Sequence, residues 1–210
     1  MITNYGELQA TIKKYLYNRK NLDGDIKTFI SIAEKKMFRA LRCPENERQY
    51  TEEVAEGLSI PEITEPSDFL EIKFLNVNGK PMKRISDLAL QTELATDYAP
   101  GEPSKFARVL DKYVFWRIPD SNYKVDLYYW TDFSDTPLVL DDDTNAVLLA
   151  YPDLYLYGAL LEAMPFLVDD QRLTTWQAMY QQALDYIDHR TKEQEYSGSP
   201  VSVGGIYSDG

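Results

Sequence analysis

The residues best equipped for chemistry form one short run, Asp141-Asp142-Asp143-Thr144-Asn145. Asp141, Asp143 and Asn145 stand at the alternation that opens a calcium loop, where successive side-chain oxygens converge on a hard cation. The rest of the loop departs from that pattern. Ala146 stands where the turn needs glycine, and Pro152 where a bidentate glutamate would close the shell. An Asp-rich cap for the following helix accounts for the same residues, since carboxylates favour the positive end of a helix dipole. Asp169, Asp170 and Glu162 are the other acids at hand. With the Asp141 cluster they are the raw material for a metal-dependent carboxylate hydrolase or nuclease, the alternative reading of this chain.

Other chemistry has less to work with. The single histidine, His189, has no second specialised group nearby in sequence, as a triad or metal cluster requires. Cys43 is followed by Pro44, has no neighbouring histidine, and reads as a small residue at a helix end. The chain contains no H-E-x-x-H, C-x-x-C or G-x-S-x-G, and no glycine loop of a phosphate-cradling type. No catalytic, cofactor or metal residue is therefore assigned, and no enzymatic activity is expected. The aromatic runs Val114-Phe115-Trp116 and Tyr128-Tyr129-Trp130 could stack nucleobases, but their acidic surroundings favour core or subunit interface.

The elements that must position these groups follow from periodicity. Tyr151 to Val168 is apolar in every direction at helical spacing, interrupted only by Asp153 and Glu162, so it predicts a helix covered on all sides, at the centre of the fold, at a subunit interface, or both. Pro152 suits its first position and Pro165 limits its end. A first helix starts at Thr3 or Asn4 with Glu7 as the reciprocal cap, and Leu8, Ile12, Tyr15 and Leu16 form its stripe. Ile26, Phe29, Ile30, Ala33, Met37, Ala40 and Leu41 give a second helix that stops at Cys43-Pro44, and the short polar link implies a hairpin. Pro44 to Pro66 reads as an acidic connection holding a short strand. Phe69 to Val77, the Asn78-Gly79 turn and Met82 to Ile85 form one hairpin. Phe106 to Leu110 and Tyr113 to Ile118 form another, and Tyr123 to Trp130 adds a strand. Asp87 to Thr96 predicts one short helix. A last helix runs from about Asp170 to Glu195, with Leu173, Trp176, Tyr180, Ala183, Leu184 and Ile187 on one face.

The fold class expected is α+β: mainly a bundle of about four helices, with an inserted small antiparallel sheet and an extended C-terminal tail. The expected divisions are 1–66, a helical hairpin and acidic connection; 67–131, the β module; 132–196, the helices that complete the bundle; and 197–210, a Ser/Gly-rich tail for binding a partner.

Composition narrows the class. A chain of 210 residues with 44% hydrophobic and 13% aromatic residues buries a sizeable core, and 16 Tyr suit surfaces that are exposed alone and buried in an assembly. The net charge of −12 is uneven: residues 1–42 hold nine Lys/Arg and four Asp/Glu, whereas the remainder holds thirteen and thirty. A basic hairpin on an acidic body suits like subunits that meet electrostatically, and an acidic body is a poor wrapper of nucleic acid. One Cys fits a reducing compartment. Asn4, Glu7 and Lys13 interrupt any apolar leader, and no run is apolar enough to span a bilayer. A protein that is cytoplasmic when made, with no membrane partner, is expected.

Four segments carry a family resemblance. They are N-L-D-G-D-I-K-T-F-I-S-I-A-E-K-K-M-F-R-A-L-R at 21–42, P-S-D-F-L-E at 66–71, L-D-D-D-T-N-A-V-L-L-A-Y-P-D-L-Y-L-Y-G-A-L-L-E-A-M-P-F-L-V-D-D-Q-R at 140–172, and W-Q-A-M-Y-Q-Q-A-L at 176–184. In order and spacing they resemble the head-to-tail adaptor (connector) proteins of bacteriophages. The resemblance implies a structural virion protein at the head–tail junction. It would form a homo-oligomeric ring, typically a dodecamer, between the portal protein and the tail nozzle or tail-tube protein, and genomic DNA would pass through its channel without sequence-specific binding. It also implies that the C-terminal tail reaches into the portal ring, which makes Val201, Val203, Ile206 and Tyr207 the expected portal contacts.

Overall fold

A computed structural model describes residues 1–17, 19, 22–96, 99–133, 136–167 and 171–196. At its centre lies α5 (Pro152–Glu162), the helix that is apolar all round, with Leu154, Tyr155, Ala159 and Leu160 fully buried. The chain covers this helix itself. Its neighbours are α1 (Tyr5–Tyr15), α2 (Ile26–Ala40), α4 (Ala146–Ala150) and α6 (Leu173–Tyr196), and all five contribute to one apolar core. Burying each such Leu or Ile contributes roughly 1.5–3 kcal/mol relative to exposure. Pro152 occupies the first turn of α5, and Pro165 falls in the 3-10 turn Met164–Phe166 that ends the regular helix. Gly158 lets both flanking helices come close. A Cβ built there lies 3.2 Å from the Tyr180 ring on α6 and 3.4 Å from Ala33 on α2.

The capping signals act as written, with one exchange of partner. Asn4 Oδ1 accepts from the Glu7 N–H at 2.8 Å, and the Glu7 carboxylate accepts from the N–H of Thr3, not of Asn4, at 2.7 Å. Leu8, Ile12 and Leu16 are fully buried, whereas Tyr15, expected on the same stripe, is 39% exposed.

The expected architecture of four helices and one small antiparallel sheet is overturned. Among the described residues there are six α-helices and two four-stranded sheets. The first sheet runs β1 (Glu47–Val54), β8 (Tyr123–Thr131), β3 (Phe69–Val77), β4 (Lys80–Pro81). The second runs β2 (Glu62–Thr64), β7 (Lys112–Trp116), β6 (Lys105–Val109), β5 (Lys83–Arg84). The acidic stretch read as a connection thus supplies two strands. β1 is an edge strand that buries only Val54 fully, so it needs no hydrophobic alternation to pair with β8, from Glu47↔Trp130 to Val54↔Tyr123. The Asn78-Gly79 turn forms as expected, with φ of 47° and 79°. Beyond Pro81, however, the chain leaves its hairpin, and β5 pairs in parallel with β6 of the other sheet. The facing sides of the two sheets bury Val54, Leu75, Val125, Leu127, Phe106 and Phe115 in a second core. α3 (Asp87–Thr96) belongs to this β-rich part, where Leu90 packs on Ala107, Val114 and Trp116.

The helical and β-rich parts meet around Asn46, which is wholly buried. Its Oδ1 accepts from Cys43 N at 2.8 Å and its Nδ2 donates to Leu41 O at 3.1 Å, fixing the exit from α2. On one side Arg42 pairs with Glu71 at 2.6 Å. On the other, Arg190 of α6 donates to the Tyr151 hydroxyl at 2.8 Å and pairs with Glu45 at 3.3 Å.

Candidate functional site

The Asp141 cluster builds a clasp on α1. The carbonyl oxygens of Asp143 and Asp141 accept from Tyr5 N and Gly6 N at 2.9 and 2.8 Å, so the loop satisfies first-turn N–H groups that have no partner within the helix. Gly6 is required by this approach, because a Cβ there would lie 2.9 Å from Asp141 Cβ. Asp143 turns its carboxylate inward on its own loop, accepting from Leu140 N at 2.6 Å and Val139 N at 2.8 Å, and these two N–H groups hold its pKa below the ordinary aspartate value. Asn145 is the N-cap of α4, accepting from Leu148 N at 2.8 Å. The would-be cation ligands are therefore occupied as caps.

The other sequence candidates are dispersed. Glu162 ends α5 and accepts from Lys36 Nζ at 2.6 Å. His189 is exposed on α6, with Nδ1 3.5 Å from Glu193. Cys43 is buried, and burial followed by the nearby Glu45 charge pushes its thiol up to about 12, far from a reactive thiolate. Asp169 and Asp170, and the tail residues Val201, Val203, Ile206 and Tyr207, lie outside the described residues. Among the described residues no group of three or more His, Cys, Asp or Glu is placed to hold a metal ion, and no helix is long and apolar enough to cross a membrane. Phe115, Trp116, Tyr129 and Trp130 are buried, not arrayed for stacking on a base.

What the fold does assemble is a groove between α2 on one side and Asp132, Phe133, Pro137, Leu138 and Val139 on the other. Two adjoining hollows of about 610 and 400 Å³ share Tyr5, Ser31, Leu138 and Val139. Its lining is largely apolar, with Ile32, Phe38 and Leu138, and Lys27, Lys35 and Arg39 line it too. None of these three cations has a carboxylate partner among the described residues. Inside the groove, Glu34 accepts from the Tyr155 hydroxyl at 2.8 Å, and Asn145 Nδ2 donates to that hydroxyl at 2.8 Å. Burial raises the Glu34 pKa above the ordinary glutamate value, while the Tyr155 and Asn145 hydrogen bonds act against the rise. Sequence reasoning missed both groove and network. Two signals for them exist: Glu34 adjoins the apolar stripe of α2, and Leu138-Val139-Leu140 is an apolar run inside an acidic loop.

The described residues thus form a helical core with an apolar groove, joined to a β-rich part through a hydrogen-bonded junction. A family model described as SU10 adaptor protein matches residues 3–204, and the chain belongs to that family, a family of phage head-to-tail adaptors. Membership makes it a phage adaptor structural protein, a component of the head–tail junction that associates with portal and tail proteins. A comparison with curated proteins found no match.

Proposed function

We propose that this chain is the subunit of a homo-oligomeric ring, typically a dodecamer, seated between the portal protein and the tail nozzle or tail-tube protein of a bacteriophage, where it extends the DNA channel. The observation that carries this reading is the family match across nearly the whole chain, residues 3–204. The charge distribution supports it. A ring surface rich in Asp and Glu repels passing DNA, and a basic α1–α2 segment gives neighbouring subunits something of opposite sign to meet. In this reading the β-rich part faces the tail, and Val201, Val203, Ile206 and Tyr207 contact the portal.

The test is the mass of the full-length protein, alone and mixed with the portal protein of the same phage, by light scattering and negative-stain imaging. A ring, or a monomer that becomes a ring on the portal, is the expected result. A monomer that ignores the portal overturns the reading. Among the described residues the last fully buried apolar residue of the helical core is Ile187, so deleting residues 197–210 removes none of the described core residues. The shortened protein should fold and bind portal more weakly, and unchanged portal binding would remove those four residues from the contact.

A further inference from the structure

We propose that the groove between α2 and Pro137, Leu138 and Val139 receives the outer face of α6 from a second copy of this chain, joining subunits head to tail. The inference rests on the ring reading and names the two surfaces that would meet. The first is the groove. Ile32 is 40% exposed and Val139 59%, so the groove offers apolar side chains to solvent beside its cations. The cations along it, Lys27, Lys35 and Arg39, have no carboxylate partner in their own subunit among the described residues.

The second surface is α6. From Leu173 to Leu184 the helix carries no charged residue, although Thr174, Thr175, Gln177, Ala178, Met179, Gln181 and Gln182 are all exposed. An exposed helix face ordinarily carries charge, and loss of Lys and Glu with gain of Met and Tyr marks the core of an interface. Met179 and Tyr186, 41% and 62% exposed, stand seven residues apart on one stripe with Gln182 between them. Asp185 adjoins Tyr186 and accepts from Gln181 Nε2 at 2.8 Å, but has no cationic partner among the described residues. An uncharged ridge that presents Met179 and Tyr186 beside an uncompensated anion thus matches an apolar groove with uncompensated cations.

The two surfaces have no residue in common. Their contact is therefore heterologous, and each subunit that docks offers a fresh groove or a fresh α6 to the next. Such contacts close into rings when the rotation permits, whereas a self-complementary patch stops at a pair.

The experiment uses the full-length chain assembled on its portal, with Val139→Cys and Tyr186→Cys introduced singly and together and treated with a short bis-maleimide. The double variant is expected to give a ladder of dimers, trimers and higher species on a denaturing gel, and each single variant to stay monomeric. A double variant that stops at dimers, or links no better than the single variants, overturns the proposal. A second arm keeps the folding question separate. Lys35→Glu with Arg39→Glu should weaken self-association at least tenfold while leaving the circular dichroism spectrum unchanged, and adding Asp185→Lys should restore it. Rings that form normally despite the charge reversal sink this interface and leave the adaptor reading standing. Wild-type protein that never self-associates, even on the portal, sinks both.

Discussion

The hydroxyl of Tyr155 donates to Glu34 Oε1 across 2.8 Å, joining the central helix to α2 through a carboxylate that faces an apolar groove. Removing the hydroxyl leaves Glu34 with Asn145 as its remaining side-chain donor, at 3.4 Å. Tyr155→Phe should therefore destabilise the fold by about 1–3 kcal/mol, the cost of under-satisfying a buried acceptor. Urea denaturation measures this, and a variant as stable as the wild type would mean that water already serves the carboxylate.

The same carboxylate sets a pH dependence. Its pKa is raised in the folded protein, so the native state binds this proton more tightly than the unfolded chain does. The stability it contributes is complete below the ordinary glutamate pKa of about 4.5 and is lost as pH rises through the raised folded value. Glu34→Gln, which keeps an acceptor for Tyr155 but cannot ionise, should gain on the wild type as pH rises from about 4 to about 7. Paired thermal melts across that range read the difference, and a gain that shrinks with rising pH contradicts the assignment.

Gly158 is set by the neighbours of α5. Gly158→Val should cost about 1–3 kcal/mol, because its branches would run into Ala33 and Tyr180. Gly158→Ala should be close to neutral: the single methyl needs Tyr180, only half-buried, to yield a few tenths of an ångström, and the lost glycine entropy returns roughly 0.5–1 kcal/mol. Equal losses for both substitutions would point to backbone strain in place of crowding.

At the clasp, Gly6→Ala places a methyl against Asp141 and should cost about 1–3 kcal/mol. Hydrogen exchange offers a sharper readout than stability. The Tyr5 and Gly6 amides should lose protection, while amides of the β-rich part keep theirs.

Asn46→Ala exposes the junction to the same logic. Cys43 N loses its buried partner, at about 1–3 kcal/mol, whereas Leu41 O keeps the Arg42 Nη1 donor at 2.8 Å. Chemical denaturation should show the full loss, and Asn46→Asp should recover only the Cys43 contact.

How far the sequence could be read depended on whether a residue's role was local. The Asn4 cap, the stripe of α2, the Asn78-Gly79 turn and Pro152 are decided within a few residues, and each stands where its chemistry predicts. The expectation of one short strand in 44–66 fell short of β1 and β2, because an edge strand with one fully buried side chain carries no alternation to mark its length, and its partner β8 is far away in sequence. The single-sheet expectation failed at Pro81, where the chain crosses between sheets with only Met82 separating β4 from β5. At the site, the Asp-rich run was legible as a cap for α4, but its hold on α1 is made through backbone carbonyls, which no residue type announces. The groove joins Tyr5 and α2 to Leu138 and Val139, which lie far apart in sequence, so periodicity in either part alone could not reveal it.

The pairing of Glu47 with Trp130 closes the long β-rich segment that separates the early helices from the late ones. The ribosome delivers α1 and α2 first, and their apolar stripes then wait for α4, α5 and α6, which emerge after every strand has been made. Domains generally fold as units while the chain grows, so the sheets can form in that interval. Once β8 zips onto β1, Asn46 stands beside the end of β8, and the separation between early and late helices shrinks from the whole β-rich segment to a few residues. With that loop closed, α5 can meet α1 and α2 across a short separation, and α6, made last, covers the remaining side.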